Sequence, residues 1–188
     1  VCRQIGTKFV YSRVDPSAAN QAVKNGLSLL CQARVFSQIR HTSANGLPLG
    51  AESNDKFFKI LFTDTGLVSA QLDLSSIPYS QAGDILFTNK GPLAEQFVGQ
   101  QLRAAQSPLT DPSLFYWQLT GGRHGEIDYI IQHRNRIIPV EIKSGKSGSM
   151  KSLHQFMHDK SLGLALRINA NLPAVERISI KTTKGNPV

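Results

Sequence analysis

The apolar residues of the chain recur with two periods, and the period changes along its length. In DPSAANQAVKNGLSLLCQAR (15 to 34), Val23, Leu27, Leu30 and Cys31 repeat at helical spacing. Asp15 is suited to cap such a helix and Pro16 to open it. VFSQIRHT (35 to 42) and KFFKILF (56 to 62) read as strands on either side of SANGLPLGAESND, a loop rich in Gly, Asn and Ser. DTGLVSAQLDL predicts a short helix, and SSIPYSQAGDILFTNKG an irregular or partly helical linker. In GPLAEQFVGQQLRAAQ (91 to 106), Leu93, Phe97, Val98 and Leu102 form the stripe of a better helix, with Pro92 at its start. SLFYWQL, GEIDYIIQH and RIIPVEIKS predict three strands, followed by a helix over SMKSLHQFMHDK capped by Ser149. LGLALRI and ERISIKT predict two more strands. A helix, three strands, a helix and two strands in that order predict an α/β or α+β layer.

The two central strands alternate more tightly than a core requires. A two-residue turn at Arg134-Asn135 pairs His133 with Arg136. The same register sets Asp128 opposite Glu141 and Glu126 opposite Lys143. Ile127, Tyr129 and Ile131 then meet Ile142, Val140 and Ile138 on an apolar face, leaving Glu126, Asp128, Glu141 and Lys143 on the other. A slip by one residue would scramble both faces, so the alternation itself specifies the register. Directly opposed carboxylates repel in a sheet, and a cation between Asp128 and Glu141 relieves that. Lys143 supplies one such cation. Mg²⁺ is another, because it takes one or two carboxylates and keeps its waters. Such an ion would hold a phosphate oxygen and generate a hydroxide, with Lys143 stabilising developing charge. Glu95, about 200° from Leu93 on a helical wheel, is the candidate third carboxylate. Gln155, on the following helix, is a candidate for the same cleft.

Composition narrows the partners. The chain has 188 residues, is 40% hydrophobic and 18% charged, and carries a net charge of +8. That is enough for one generous domain or two small ones. The positive charge favours polyanion partners such as DNA. Two cysteines, Cys2 and Cys31, suit a reducing, cytoplasmic compartment rather than a disulfide scaffold. There is no run of ~18 apolar residues for a membrane span. The opening VCRQIG, without Met or leader, reads as a piece of a longer protein.

Other motifs weigh less. SGKSGS (144 to 149) is not a Walker A loop, because the position five before Gly145 is Val140. Its Lys146, with Lys151, remains able to touch phosphate. His154 and His158 have i, i+4 spacing but no intervening Glu, which favours a packing role. Phe57, Phe58, Phe115, Tyr116 and Trp117 read as core rather than as base-stacking platforms.

Taken together, Glu95 on a helix, Asp128, and Glu141-Ile142-Lys143 resemble the PD-(D/E)XK nuclease fold. The phrases YSRVDPSAANQAVK, HTSANGLPLGAE, KFFKILFTDTGL, GPLAEQFVGQQL, GEIDYII and IPVEIKSGKSGSMKSL are similar to the DUF4143 region, which follows an AAA+ ATPase domain in bacterial and archaeal proteins. The resemblance covers nearly the whole chain. It implies a winged-helix-like segment over residues 1–62 and a DUF4143, restriction-endonuclease-like domain over 63–188 with a central mixed sheet flanked by helices. It implies an ATP-binding domain upstream of this sequence. It also implies a Mg²⁺-dependent DNA phosphodiester hydrolase in which Asp128 and Glu141 are metal ligands. Glu95 would be a supporting ligand or base, and Lys143 the electrostatic stabiliser. Glu126 and Gln155 would be supporting residues. The usual proline before the aspartate is absent, Ile127 standing there instead. The alternative is a non-catalytic module that binds nucleic acid or a protein partner and regulates the ATPase.

Overall fold

A computed structural model describes residues 1–73, 90–119 and 125–179. They form a mixed α/β structure with six strands in parallel and antiparallel pairings and four α-helices among the described residues. The chain divides into two compact units that do not follow chain order. One comprises Val1–Arg40 with Asn54–Leu114, the other His41–Ser53 with Phe115–Val188.

The first unit holds α1 (Asn20–Gln32), most of β1 (Phe36–Thr42) and β2 (Ser53–Phe62), α2 (Thr65–Gln71) and α3 (Lys90–Ala104). Its core is Ile5, Phe9, Leu27, Phe36, Phe58, Ile60, Phe62 and Val68. The Phe36 and Phe62 rings meet edge to face at 4.5 Å, and Phe9 stacks on Phe58 at 5.5 Å. Helix α1 contains the apolar repeat but begins later than Asp15 and Pro16 suggest. The Asp15 carboxylate accepts from the backbone N–H and hydroxyl of Ser17, at 2.8 and 2.6 Å, so it closes a turn instead of capping a helix. Ala19 precedes the helix and caps nothing with its side chain. Helix α1 ends at Arg34, whose φ of 61° lets the Val35 N–H reach the Leu30 carbonyl at 3.0 Å. That is a left-handed C-terminal cap with an arginine where glycine is usual. Helix α2 forms within DTGLVSAQLDL, and the Asp64 carboxylate caps it, accepting from the Gly66 N–H at 2.7 Å.

Helix α3 departs from its apolar stripe. Val98 is buried and Leu93 and Leu102 are half-buried, but Phe97 is 55% exposed. The buried polar residue is Gln96, whose side-chain amide reads the backbone of β2. Its Oε1 accepts from the Phe62 N–H and its Nε2 donates to the Ile60 carbonyl, both at 2.9 Å. Gln100 adds a bond to the Phe62 carbonyl at 3.3 Å. The amides do for β2 what a neighbouring strand would do, which is satisfy buried backbone groups.

The second unit holds β3 (Leu114–Gln118, from Phe115 on), β4 (Glu126–His133), β5 (Arg136–Ile142), α4 (Lys151–Asp159) and β6 (Leu166–Ile168). β4 pairs antiparallel with β3 and β5, and β5 pairs parallel with β6. α4 lays Leu153 and Phe156 against Phe115, Ile127, Ile130 and Ile137. Lys151, not Ser149, begins α4, and Met150 precedes it without a side-chain cap. Ser149 Oγ lies 3.5 Å from the Lys151 N–H, too far to cap well. Of the strand predicted over LGLALRI, only Leu166–Ile168 forms. Residues 176–179 of ERISIKT have no strand, and the rest of it lies outside the described residues, as do most of SSIPYSQAGDILFTNKG and His124. Of the aromatic residues, Phe58, Phe115 and Tyr116 are buried, while Phe57 and Trp117 are half-buried.

Candidate functional site

The hairpin register is the one the alternation requires. Tyr129 pairs with Val140, Ile131 with Ile138 and His133 with Arg136, across the two-residue turn at Arg134-Asn135. Pairing of backbones stops at Tyr129 and Val140. On its other side β4 carries a bulge. Phe115 pairs with Ile130 and Trp117 with Ile127, so β4 spends one residue more than β3 over that stretch. The bulge places Asp128 and Tyr129 together opposite Tyr116. Ile127 and Ile130, three apart, consequently share the α4 core.

The bulge and the helix change the expected division of faces. Ile127 packs under α4, so its neighbour Glu126 falls on the opposite face. On β5, Ile137 faces α4, and Glu141 lies on that same face by alternation. Glu126 therefore does not share a face with Glu141, contrary to the unbroken register. Nor is that face a purely polar one. All of Ile138 to Ile142 is buried, the pattern of a strand covered on both sides.

Asp128 stands at the bulge, half-buried, and its Oδ2 accepts from the Ile142 N–H at 2.7 Å. A side-chain carboxylate thus takes up a backbone donor where the ladder ends. Glu141 is only 6% exposed. Its Oε1 accepts from Lys143 Nζ at 2.5 Å. Its Oε2 is buried with no hydrogen-bond partner. Burying such an oxygen costs free energy that the single ion pair does not return.

Lys143 is held from two directions. Its backbone N–H donates to the Ile168 carbonyl at 2.9 Å, extending β6 alongside. The loop 144–149 folds over its stem, because Gly148 has φ 156° and no Cβ. A Cβ there would stand 2.6 Å from Lys143 Cδ. The loop is itself tied down, with the Lys146 carbonyl accepting from Arg167 Nη2 and Asn171 Nδ2, both at 3.2 Å. Gly148 was not legible as a site residue. Its only signal was a second glycine in SGKSGS.

Each of the other candidates has a partner within its own unit. Glu95 belongs to the first unit, where its Oε2 lies 3.4 Å from Lys59 Nζ. The Lys59 side chain is 3% exposed, so this is a buried ion pair inside a hydrophobic strand. Gln155 is exposed and donates to Asp159 Oδ1 at 2.8 Å. His158 also approaches Asp159, at 3.4 Å. His154 is half-buried in α4, and burial pushes its imidazole below the ordinary histidine range. Among the described residues, no group of three or more His, Cys, Asp or Glu side chains is placed to hold a metal ion. No described helix is long and apolar enough to cross a membrane.

Comparison with known proteins divides the chain. Residues 90–179 match a domain family described as "Domain of unknown function (DUF4143)". Residues 1–77 match a different one, "Domain of unknown function (DUF8612)". The likeness to DUF4143 therefore begins at residue 90, not near the N-terminus. No curated protein and no solved structure gives a significant match.

Proposed function

We propose that Asp128, Glu141 and Lys143 form a divalent-metal phosphodiesterase site of the PD-(D/E)XK kind, acting on DNA. On this reading, residues 1–62 are a winged-helix-like segment and an AAA+ ATPase domain accompanies the module in the full-length protein. The observation that supports it is the buried, unpartnered Oε2 of Glu141 beside a lysine-bound Oε1. An anionic oxygen desolvated without a donor is what a hard cation stabilises. Two carboxylates suit Mg²⁺, which needs few protein ligands and keeps its waters. The ion, when bound, supplies Lewis-acid charge for a phosphoryl oxygen and a water of lowered pKa. The chain's own part is to hold the carboxylates still. Asp128 is oriented by the Ile142 N–H, Glu141 by Lys143, and Lys143 by the loop over its stem. The Lys143 ammonium then lies where charge on a transferring phosphate would develop.

Nicking of supercoiled plasmid DNA in Mg²⁺ or Mn²⁺ tests this. Cleavage should fall by about a hundredfold or more in Asp128→Ala and Lys143→Ala, the usual cost of losing a charge-stabilising group. Cleavage unchanged in both variants would sink the assigned site. The second reading is a non-catalytic DNA-binding module. The net charge of +8 favours it. Its mark is salt-dependent DNA binding without cleavage.

A further inference from the structure

The other end of the hairpin carries a second feature. His133, Arg134, Asn135, Arg136, Ile138 and Leu164 line a cavity of about 290 Å³. Its construction follows from the register. His133 and Arg136 are the last cross-strand pair, and Ile138 lies two residues along on the same face as Arg136. Val140 pairs in parallel with Leu166, so the same register carried back two residues sets Leu164 beside Ile138. Exposed cationic side chains thus form its rim, beside the buried Ile138 and the exposed Leu164.

The charges at that rim are not neutralised. No carboxylate lines the cavity. Neither Arg134 nor Arg136 has an ion pair among the described residues. Arg34, Arg40, Lys59 and Lys143 are each matched with Asp or Glu. The backbone also commits to this arrangement. Arg134 holds φ 55°, a left-handed conformation that costs an arginine free energy and that glycine would adopt freely. The carbonyl of Arg134 is pinned by Gln132 Nε2 at 3.3 Å.

We propose that this cavity binds a nucleoside phosphate, free or as part of a nucleic-acid strand. The guanidinium forks of Arg134 and Arg136 take the phosphate, and Ile138 and Leu164 take the face of the base. The site is distinct from the carboxylate site. Ile138 and Glu141 lie on opposite faces of β5, roughly 10 Å apart along the strand. The proposal does not rest on the phosphodiesterase reading.

The experiment is chemical-shift mapping on the 188-residue chain. The probes are AMP, inorganic phosphate and a single-stranded oligodeoxynucleotide. AMP should shift the signals of Arg134, Arg136, Ile138 and Leu164, and bind at least several-fold more tightly than inorganic phosphate. The oligonucleotide binding more tightly than AMP at the same residues would identify a strand as the source. Equal affinity would identify the free nucleotide. Arg134→Gly with Arg136→Gln should weaken AMP by about tenfold or more, the weight of about one charge-assisted contact. Glycine suits the positive φ, so that variant keeps the turn. Leu164→Ala should weaken AMP and leave inorganic phosphate unchanged. AMP shifting none of these signals in the wild-type chain would overturn the proposal. So would affinity unchanged in the double variant, or phosphate binding as well as AMP.

Discussion

Gly148 and Lys143 show how one missing methyl sets a side chain. A Cβ at residue 148 would meet three carbons of the Lys143 stem, the nearest at 2.6 Å. The backbone cannot yield freely, since Asn171 and Arg167 tie the loop through the Lys146 carbonyl. Gly148→Ala should therefore lower stability by about 1–3 kcal/mol, the cost of a strained φ. In the Lys143→Ala background the same change should cost less, because the stem it strikes is gone. Thermal melts of the four proteins of that cycle check this; additive costs would mean the contact does not matter. Lys59 and Glu95 pose the opposite problem, a charge kept inside a core. Glu95→Ala should cost about 3 kcal/mol, the usual result of removing one partner of a buried pair. The double change Lys59→Met with Glu95→Leu should cost far less, since neither leaves a desolvated charge. Urea denaturation separates the two outcomes.

Some elements in this protein are completed by side chains rather than by their own kind. β2 is finished by Gln96, which bonds one N–H and one carbonyl of its backbone. Gln96→Leu would suit the apolar stripe of α3 yet leave both groups buried without partners. It should destabilise by about 2–6 kcal/mol, at 1–3 for each orphaned group. Gln96→Glu sets a buried carboxylate against the Ile60 carbonyl and should cost at least as much, since it must stay desolvated or take up a proton. Guanidinium unfolding, with hydrogen exchange at the Phe62 amide, reads both. Hairpin β4–β5 follows the same rule at its open end, where the Asp128 carboxylate takes the Ile142 N–H. The strand register was legible because alternation specifies it over five pairs, from Tyr129 to His133. The bulge was not, because one extra residue leaves no mark in a period-two pattern. That residue moved Glu126 off the face it was assigned to.

The whole molecule is basic, and its response to acid follows from its few perturbed groups. His154 titrates lower in the folded protein than in the unfolded chain, through burial. The unfolded chain therefore binds the proton first, and stability falls as pH drops through the unfolded histidine pKa. Asp15, held below the usual carboxylate range by its hydrogen bonds to Ser17, acts in the same direction at lower pH. The net charge of +8 adds self-repulsion as carboxylates protonate. Melting temperature should thus decline on acidification from pH 7 to 5, and His154→Gln should flatten the first part of that decline. A melting temperature independent of pH in this range would contradict the burial of His154.

What the sequence determined by itself was local or periodic. It determined the mixed α/β class, the short helix α2 and the hairpin register. It also determined that Glu141 and Lys143 share one side of β5. These follow from spacing alone, because side-chain direction repeats every two residues in a strand and every 3.6 in a helix. Tertiary structure decided what happens where elements meet. It gave Glu95 to Lys59, buried Gln96 against β2, left Phe97 in solvent and covered the polar side of β5 with α4. It also withheld a partner from Glu141 Oε2. No period in the chain encodes these outcomes, because each depends on which distant backbone group or charge arrives within bonding distance once the cores have packed.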